Sequence, residues 1–246
     1  MSHGWGYGPS DGPVNWCKDF PIANGHRQSP INIISGQASY DSALKPLKLN
    51  YDPSNSTDIL NNGHSFQVGF VDDTDSSTLT GGPITGTYRL KQFHFHWGAS
   101  DYRGSEHTVN GIKFPCEVEL VHMLFMLPCD LILKLGAANP RLQKVLDALE
   151  AIKSKGKQTT FTNFDAKTLL PDSLDYWTYN GSLTTPPLLE SVTWIVLKES
   201  ISVSLTQMGK FRSLKFSGDG EAHCCMQDNY RPTQPLKGRK VRRSFK

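Results

Sequence analysis

The sequence predicts a mainly β fold with some α/β mixing, a single domain around a large twisted, mainly antiparallel sheet with a few surface helices. Three observations carry that expectation. Short apolar or alternating runs recur along the chain, turn-forming dipeptides separate them, and only two segments show a helical period.

In chain order, Asp52-Pro53 marks a turn, and the run from Ser65 to Val71 follows as a strand. Gly81-Gly82-Pro83 punctuates the chain before the long alternating run from Thr87 to Trp97, the clearest strand of all. After Asn139-Pro140, a cap residue with proline in the first turn, Leu142, Val145, Leu146, Leu149 and Ile152 fall at helical spacing as far as Gly156. Ser191 to Leu197 reads as another strand. A shorter helix starts near Ser204 and carries Met208, Phe211 and Leu214. No internal repeat or linker interrupts residues 1–246, and a chain of 246 residues buries one large core.

Composition excludes several classes of function. With 37% hydrophobic and 20% charged residues and a formal net charge of +3, this is an ordinary globular composition that calls for no nucleic-acid partner. Lys237, Arg239, Lys240, Arg242, Arg243 and Lys246 crowd the C-terminus, but nothing aromatic or periodic accompanies them, so they read as a solvated basic end. Met1-Ser2-His3-Gly4-Trp5 lacks the basic start and apolar core of a signal peptide, so the chain is expected to stay in the cytoplasm. The longest apolar stretch, Met123 to Leu127, is far short of the roughly 20 residues a membrane helix needs. Cys17, Cys116, Cys129, Cys224 and Cys225 form an odd set without zinc-finger spacing and are expected to be reduced thiols.

The chemistry concentrates at Phe93-His94-Phe95-His96-Trp97, where two histidines two residues apart share one face of a strand. Such a pair can serve buried hydrogen bonds or hold a metal. Imidazole is a common zinc ligand, and a catalytic zinc takes three protein ligands and leaves a fourth position open. A third ligand is therefore expected elsewhere in the chain.

Around this pair stand Arg27-Gln28-Ser29-Pro30-Ile31-Asn32-Ile33, Asn61-Asn62-Gly63-His64-Ser65, Ser105-Glu106-His107-Thr108-Val109, Tyr176-Trp177-Thr178-Tyr179 and Gly181-Ser182-Leu183-Thr184-Thr185-Pro186-Pro187. Together they make the chain resemble an α-class carbonic anhydrase of the cytosolic vertebrate type, from Trp5 to Lys246. The resemblance implies a cytoplasmic monomer that uses Zn2+ to hydrate carbon dioxide reversibly to bicarbonate and a proton. In it, His94 and His96 match two of three zinc ligands, and Gln92 matches the acceptor that fixes a histidine tautomer. Thr184 resembles the threonine that accepts a hydrogen bond from the nucleophile and donates one to Glu106. His64 resembles the proton shuttle, with Tyr7, Asn62 and Gln67 holding the water chain that leads to it. Val121, Leu183, Val192 and Trp194, with Thr185 beside them, resemble the lining of the carbon dioxide pocket.

The resemblance fails between about residues 118 and 135. Glu117-Val118-Glu119 places a glutamate where the third histidine belongs, so the implied ligand set is His94, His96 and Glu119. Two histidines and a glutamate do hold zinc in some peptidases, but a carboxylate cancels one unit of metal charge and should weaken acidification of bound water. Glu117, which supports the third histidine in the family, shares a strand face with Glu119, and two nearby carboxylates resist ionising together. His122 has the wrong strand parity to substitute. Roughly fifteen residues of the family's next segment are missing, too many for its crossover to survive. A tight turn is expected at Pro128-Cys129-Asp130, leaving a gap in the pocket wall and the central sheet. Three outcomes follow from this departure: an impaired zinc enzyme, a catalytically inactive relative acting as a binding module, or a poorly folding splice or gene-model variant.

Overall fold

The computed structural model describes residues 4–123 and 127–246. A 13-stranded sheet dominates it, with a separate pair formed by Asn32–Ile33 and Thr108–Val109. Through its centre run the strands Phe66–Phe70, Tyr88–Trp97, Cys116–Met123, Leu127–Leu135, Val192–Leu197 and Tyr176–Gly181, each bonded to the next. Most pairs are antiparallel, but Leu127–Leu135 runs parallel to both Val192–Leu197 and Ile201–Val203, so the sheet is mixed. Among the described residues no helix is long and apolar enough to cross a membrane. Met1, Ser2 and His3, and Leu124, Phe125 and Met126 of the apolar stretch, lie outside the described residues.

Alternation builds the two faces. Along Tyr88–Trp97, Leu90, Phe93, Phe95 and Trp97 are all fully buried in the main core. Leu90 and Phe93 are an odd number of residues apart, which strict period two forbids for one face. A register shift between Leu90 and Gln92 resolves this, a bulge that turns Gln92, His94 and His96 together to the opposite side. Cys116–Met123 repeats the pattern, with Val118 and Leu120 in the main core and Glu117 and Glu119 on the histidine face. Across that second face lies a smaller cluster around Val192, Trp194 and Tyr179.

The expected turn at Pro128-Cys129-Asp130 is not there. Those residues are strand, paired from Leu127 opposite His122 to Leu133 opposite Cys116. Nor does the central sheet have the expected gap, because Cys129 and Asp130 bond onward to Ile195 and Val196. The reason is apolar burial: Leu127, Cys129, Leu131 and Leu133 all enter the main core, and that gain outweighs the local turn preference of Pro-Cys-Asp.

The helices fall as the periodicity places them. Asn139 caps a 3-10 turn at Pro140–Leu142 by accepting the Arg141 N–H, Gln143–Ala148 is α-helical, and Leu149–Ile152 ends as 3-10. Ser204 caps Leu205–Phe211 in a reciprocal box with Gln207.

Candidate metal centre

Two neighbouring strands assemble the centre. His94 pairs with Glu119, and His96 with Glu117, across the antiparallel contact of Tyr88–Trp97 and Cys116–Met123. His94 Nε2 lies 3.1 Å from His96 Nε2, and Glu119 Oε2 lies 3.5 Å from the first and 3.9 Å from the second. The outer ring nitrogens are held by acceptors: His94 Nδ1 faces Gln92 Oε1 at 3.0 Å, and His96 Nδ1 faces the Asn229 carbonyl at 2.7 Å. Each Nδ1 therefore carries the proton, and both Nε2 atoms turn bare lone pairs toward one point. Two lone pairs 3.1 Å apart beside a carboxyl oxygen repel unless a cation lies among them. Ligands about 2.0–2.2 Å from a tetrahedral zinc stand roughly 3.4 Å apart, so the three atoms fit that ion. His94 keeps 17% of its side-chain surface exposed, which opens the centre to small molecules on that side.

Burial sets the charge state. It pushes His94 well below the ordinary histidine range, with His96 adding to the fall. It also lifts Glu119 well above the ordinary carboxyl range, helped by the charges of Glu106 and Glu117. Tyr7 is raised in the same way, by burial first and then by Glu106 and Glu119. The metal-free centre thus favours neutral groups, and a divalent ion would reverse that balance for Glu119.

Glu117 is committed elsewhere. Its Oε2 accepts the backbone N–H groups of Glu106, at 2.7 Å, and His107, at 2.9 Å, while Oε1 meets His107 Nδ1 at 2.7 Å. Burial opposes ionisation, but the facing His107 outweighs it and holds Glu117 at about 2. Asp130, directly across the ladder from Glu119, brings a second carboxyl to within 3.0 Å of His107 Nδ1. Sequence reasoning misses Asp130 because Pro128-Cys129-Asp130 carries local turn chemistry. His107 has no role assigned by the pattern Ser105-Glu106-His107-Thr108-Val109, and Asn229 contributes a backbone carbonyl, which no side-chain pattern reveals.

Glu106 is buried with Oε1 accepting the Arg231 N–H at 2.8 Å and 3.5 Å from His96 Nδ1. Thr184 is buried, but among the described residues no hydrogen bond joins it to Glu106. His64 is half-buried and stacks on Trp5 with ring centres 3.8 Å apart, and burial, then Lys155, lowers its pKa. Asn62 accepts the His64 and Ser65 N–H groups and reaches Gln67 Oε1 at 3.4 Å, while Gln67 pairs with His94. Val121 sits opposite Gln92. Val192 and Trp194 are buried in the second cluster with Leu183 packed against it, and Thr185 accepts the Leu188 N–H. His122 lies on the opposite face, between Tyr51 OH at 2.7 Å and the Leu127 carbonyl at 3.1 Å.

A family model described as eukaryotic-type carbonic anhydrase matches residues 11–125 and 130–245, two stretches that together take in every one of these positions except Trp5, Tyr7 and Leu127.

Proposed function

The chain belongs to the eukaryotic-type carbonic anhydrase family, and from that premise we propose that it hydrates carbon dioxide reversibly with zinc held by His94, His96 and Glu119, less efficiently than a three-histidine centre would. The convergence of the two bare Nε2 atoms on Glu119 Oε2 is the observation that carries this reading. Zinc, when bound, supplies a Lewis acid that makes water nucleophilic near neutral pH.

The chain's own residues do the rest. Gln92 and the Asn229 carbonyl hold both imidazoles in the tautomer that presents Nε2. Glu106, fixed by the Arg231 N–H, orients the attacking oxygen together with Thr184. Val121, Leu183, Val192 and Trp194, with Thr185, line the apolar wall against which carbon dioxide rests. His64 carries the released proton outward, its position set by the Trp5 stack and its path by Tyr7, Asn62 and Gln67. A carboxylate in the third ligand position lowers the effective metal charge, which is why the activity is placed below that of the family pattern.

We place the working protein in the cytoplasm as a monomer; its five free thiols suit a reducing compartment. Zinc content measured together with stopped-flow carbon dioxide hydration tests the proposal. One zinc at this centre with measurable turnover supports it. A folded chain that holds no zinc there would overturn it in favour of a binding module, the reading favoured by the loss of the third imidazole.

A further inference from the structure

Behind the histidine pair lies a second convergence of acceptors. Tyr179 OH donates to Ser29 Oγ at 3.0 Å, so at 2.6 Å from His107 Nε2 the phenol oxygen accepts, and the imidazole proton sits on Nε2. The other ring nitrogen, Nδ1, faces Glu117 Oε1 at 2.7 Å and Asp130 Oδ2 at 3.0 Å, so in the metal-free chain a second ring proton there is shared between two carboxyl groups. Glu117 Oε2 is already saturated by two backbone N–H groups. Asp130 Oδ1 is buried with no hydrogen-bond partner. All three residues are at most 1% exposed. One imidazole proton thus serves two carboxyl groups beside an orphaned oxygen, all out of reach of water, and a divalent cation in place of that proton would meet every one of these atoms.

We propose that His107, Glu117 and Asp130 form a second, closed site for a divalent cation of the zinc type. The donor atoms are one imidazole nitrogen and two carboxylates, whose charges a divalent ion cancels. The orphaned Asp130 Oδ1 supplies a fourth donor, so the site has no open position and is structural rather than catalytic. Zinc bonds of about 2.0–2.2 Å need donors roughly 3.4 Å apart, so the present spacings open by about half an ångström on binding. The site exists because Leu127–Leu135 pairs antiparallel with Cys116–Met123 and sets Asp130 beside His107. Being enclosed, it fills as the chain folds. It shares no ligand with the His94, His96 and Glu119 centre.

The test refolds the full chain with zinc, removes unbound metal by gel filtration and counts zinc per chain by elemental analysis. Asp130→Asn and His94→Ala are treated alongside, each checked for a cooperative melt. The expected result is two equivalents in the unsubstituted chain and one in each variant. One equivalent kept in His94→Ala and lost in Asp130→Asn also upholds the second site, while counting against the first. One equivalent kept in Asp130→Asn and lost in His94→Ala overturns the second site alone, since shared protons then balance its charges. No bound zinc overturns both. Should a variant refold poorly, the melting temperature decides: added zinc should still raise it in His94→Ala, and an equal rise in Asp130→Asn would defeat the site.

Discussion

Glu119 and Asp130 stand directly opposite each other on adjacent antiparallel strands, two buried carboxyl groups in one register position. Cross-strand partners of this kind lie about 4.5–5.5 Å apart at Cβ, close enough that both resist ionising. Burial lifts Asp130 far above the ordinary carboxyl range, and Glu117 and Glu119 lift it further. Asparagine keeps the shape and removes the acid. Asp130→Asn is therefore expected to raise the melting temperature of the metal-free chain at pH 8 by about 2–4 °C, the equivalent of ~1 kcal/mol. Calorimetry in the presence of a chelator measures it, and a lowered value at that pH would contradict the like-charge account.

The pH dependence of stability follows from the same groups. Burial works against a charged His107, yet the facing Tyr179 and Glu117 hold it up at about 10, against an ordinary 6.5. A raised base stabilises fully below 6.5 and loses that contribution as pH climbs through 10. Asp130 and Glu119, both raised acids, also lose stability as pH rises. Below 6.5 the signs compete, because burial keeps His94 and His122 neutral, the latter at about 4, and each must gain a proton on unfolding. Glu117, held at about 2, keeps its contribution down to its ordinary value of 4.5. The metal-free melting temperature should thus fall steeply from pH 6.5 to 9 and change little from 6.5 to 4.5; a flat alkaline limb would refute the assignment.

Glu119→His tests the ligand chemistry directly. A neutral third imidazole restores the full charge of the metal, and each unit by which bound water becomes more acidic multiplies its reactive form tenfold at neutral pH. Turnover in stopped-flow hydration at pH 7 should rise by about tenfold. Recovery should stop short of a complete centre, because Glu117 is occupied by His107 and two backbone N–H groups and cannot orient the new ring. No rise at all would place the fault in the shortened segment instead.

Much of this arrangement was legible in the residues, and what was not has a physical explanation. Alternation in Phe93-His94-Phe95-His96-Trp97 put both histidines on one face, and Glu117 with Glu119 followed by the same rule. The bulge after Leu90 was hidden, since a register shift belongs to a pair of strands and not to one. Pro128-Cys129-Asp130 has turn chemistry locally, but strands on both edges and a core beneath it decide otherwise. Asn229 and Arg231 reach the centre through main-chain atoms from more than a hundred residues away, and every residue type carries those atoms.

Gln92 has one visible task, accepting from His94 Nδ1 at 3.0 Å. Removing that acceptor frees the ring to flip and to exchange tautomers, and losses of this kind typically cost about 10–100-fold in metal affinity. Gln92→Ala should weaken zinc binding by that factor in a chelator competition, with the melting temperature of the metal-free chain nearly unchanged. Gln92→Glu, which also accepts, should recover most of the affinity.

Leu131 tests whether the shortened segment is a true structural element. It is fully buried in the main core, opposite Val118 in the ladder, and next to Asp130, which pairs onward with Val196. If Leu127–Leu135 is an integral central strand, Leu131→Ala removes buried methyl groups and leaves a cavity where the sheet cannot collapse, at a cost of about 2–5 kcal/mol. Urea unfolding should show a lower midpoint with an unchanged slope. A loosely attached segment would give less than about 0.5 kcal/mol, as surface positions do. Leu135→Ala, at the exposed end of the same strand, supplies that surface reference within one element.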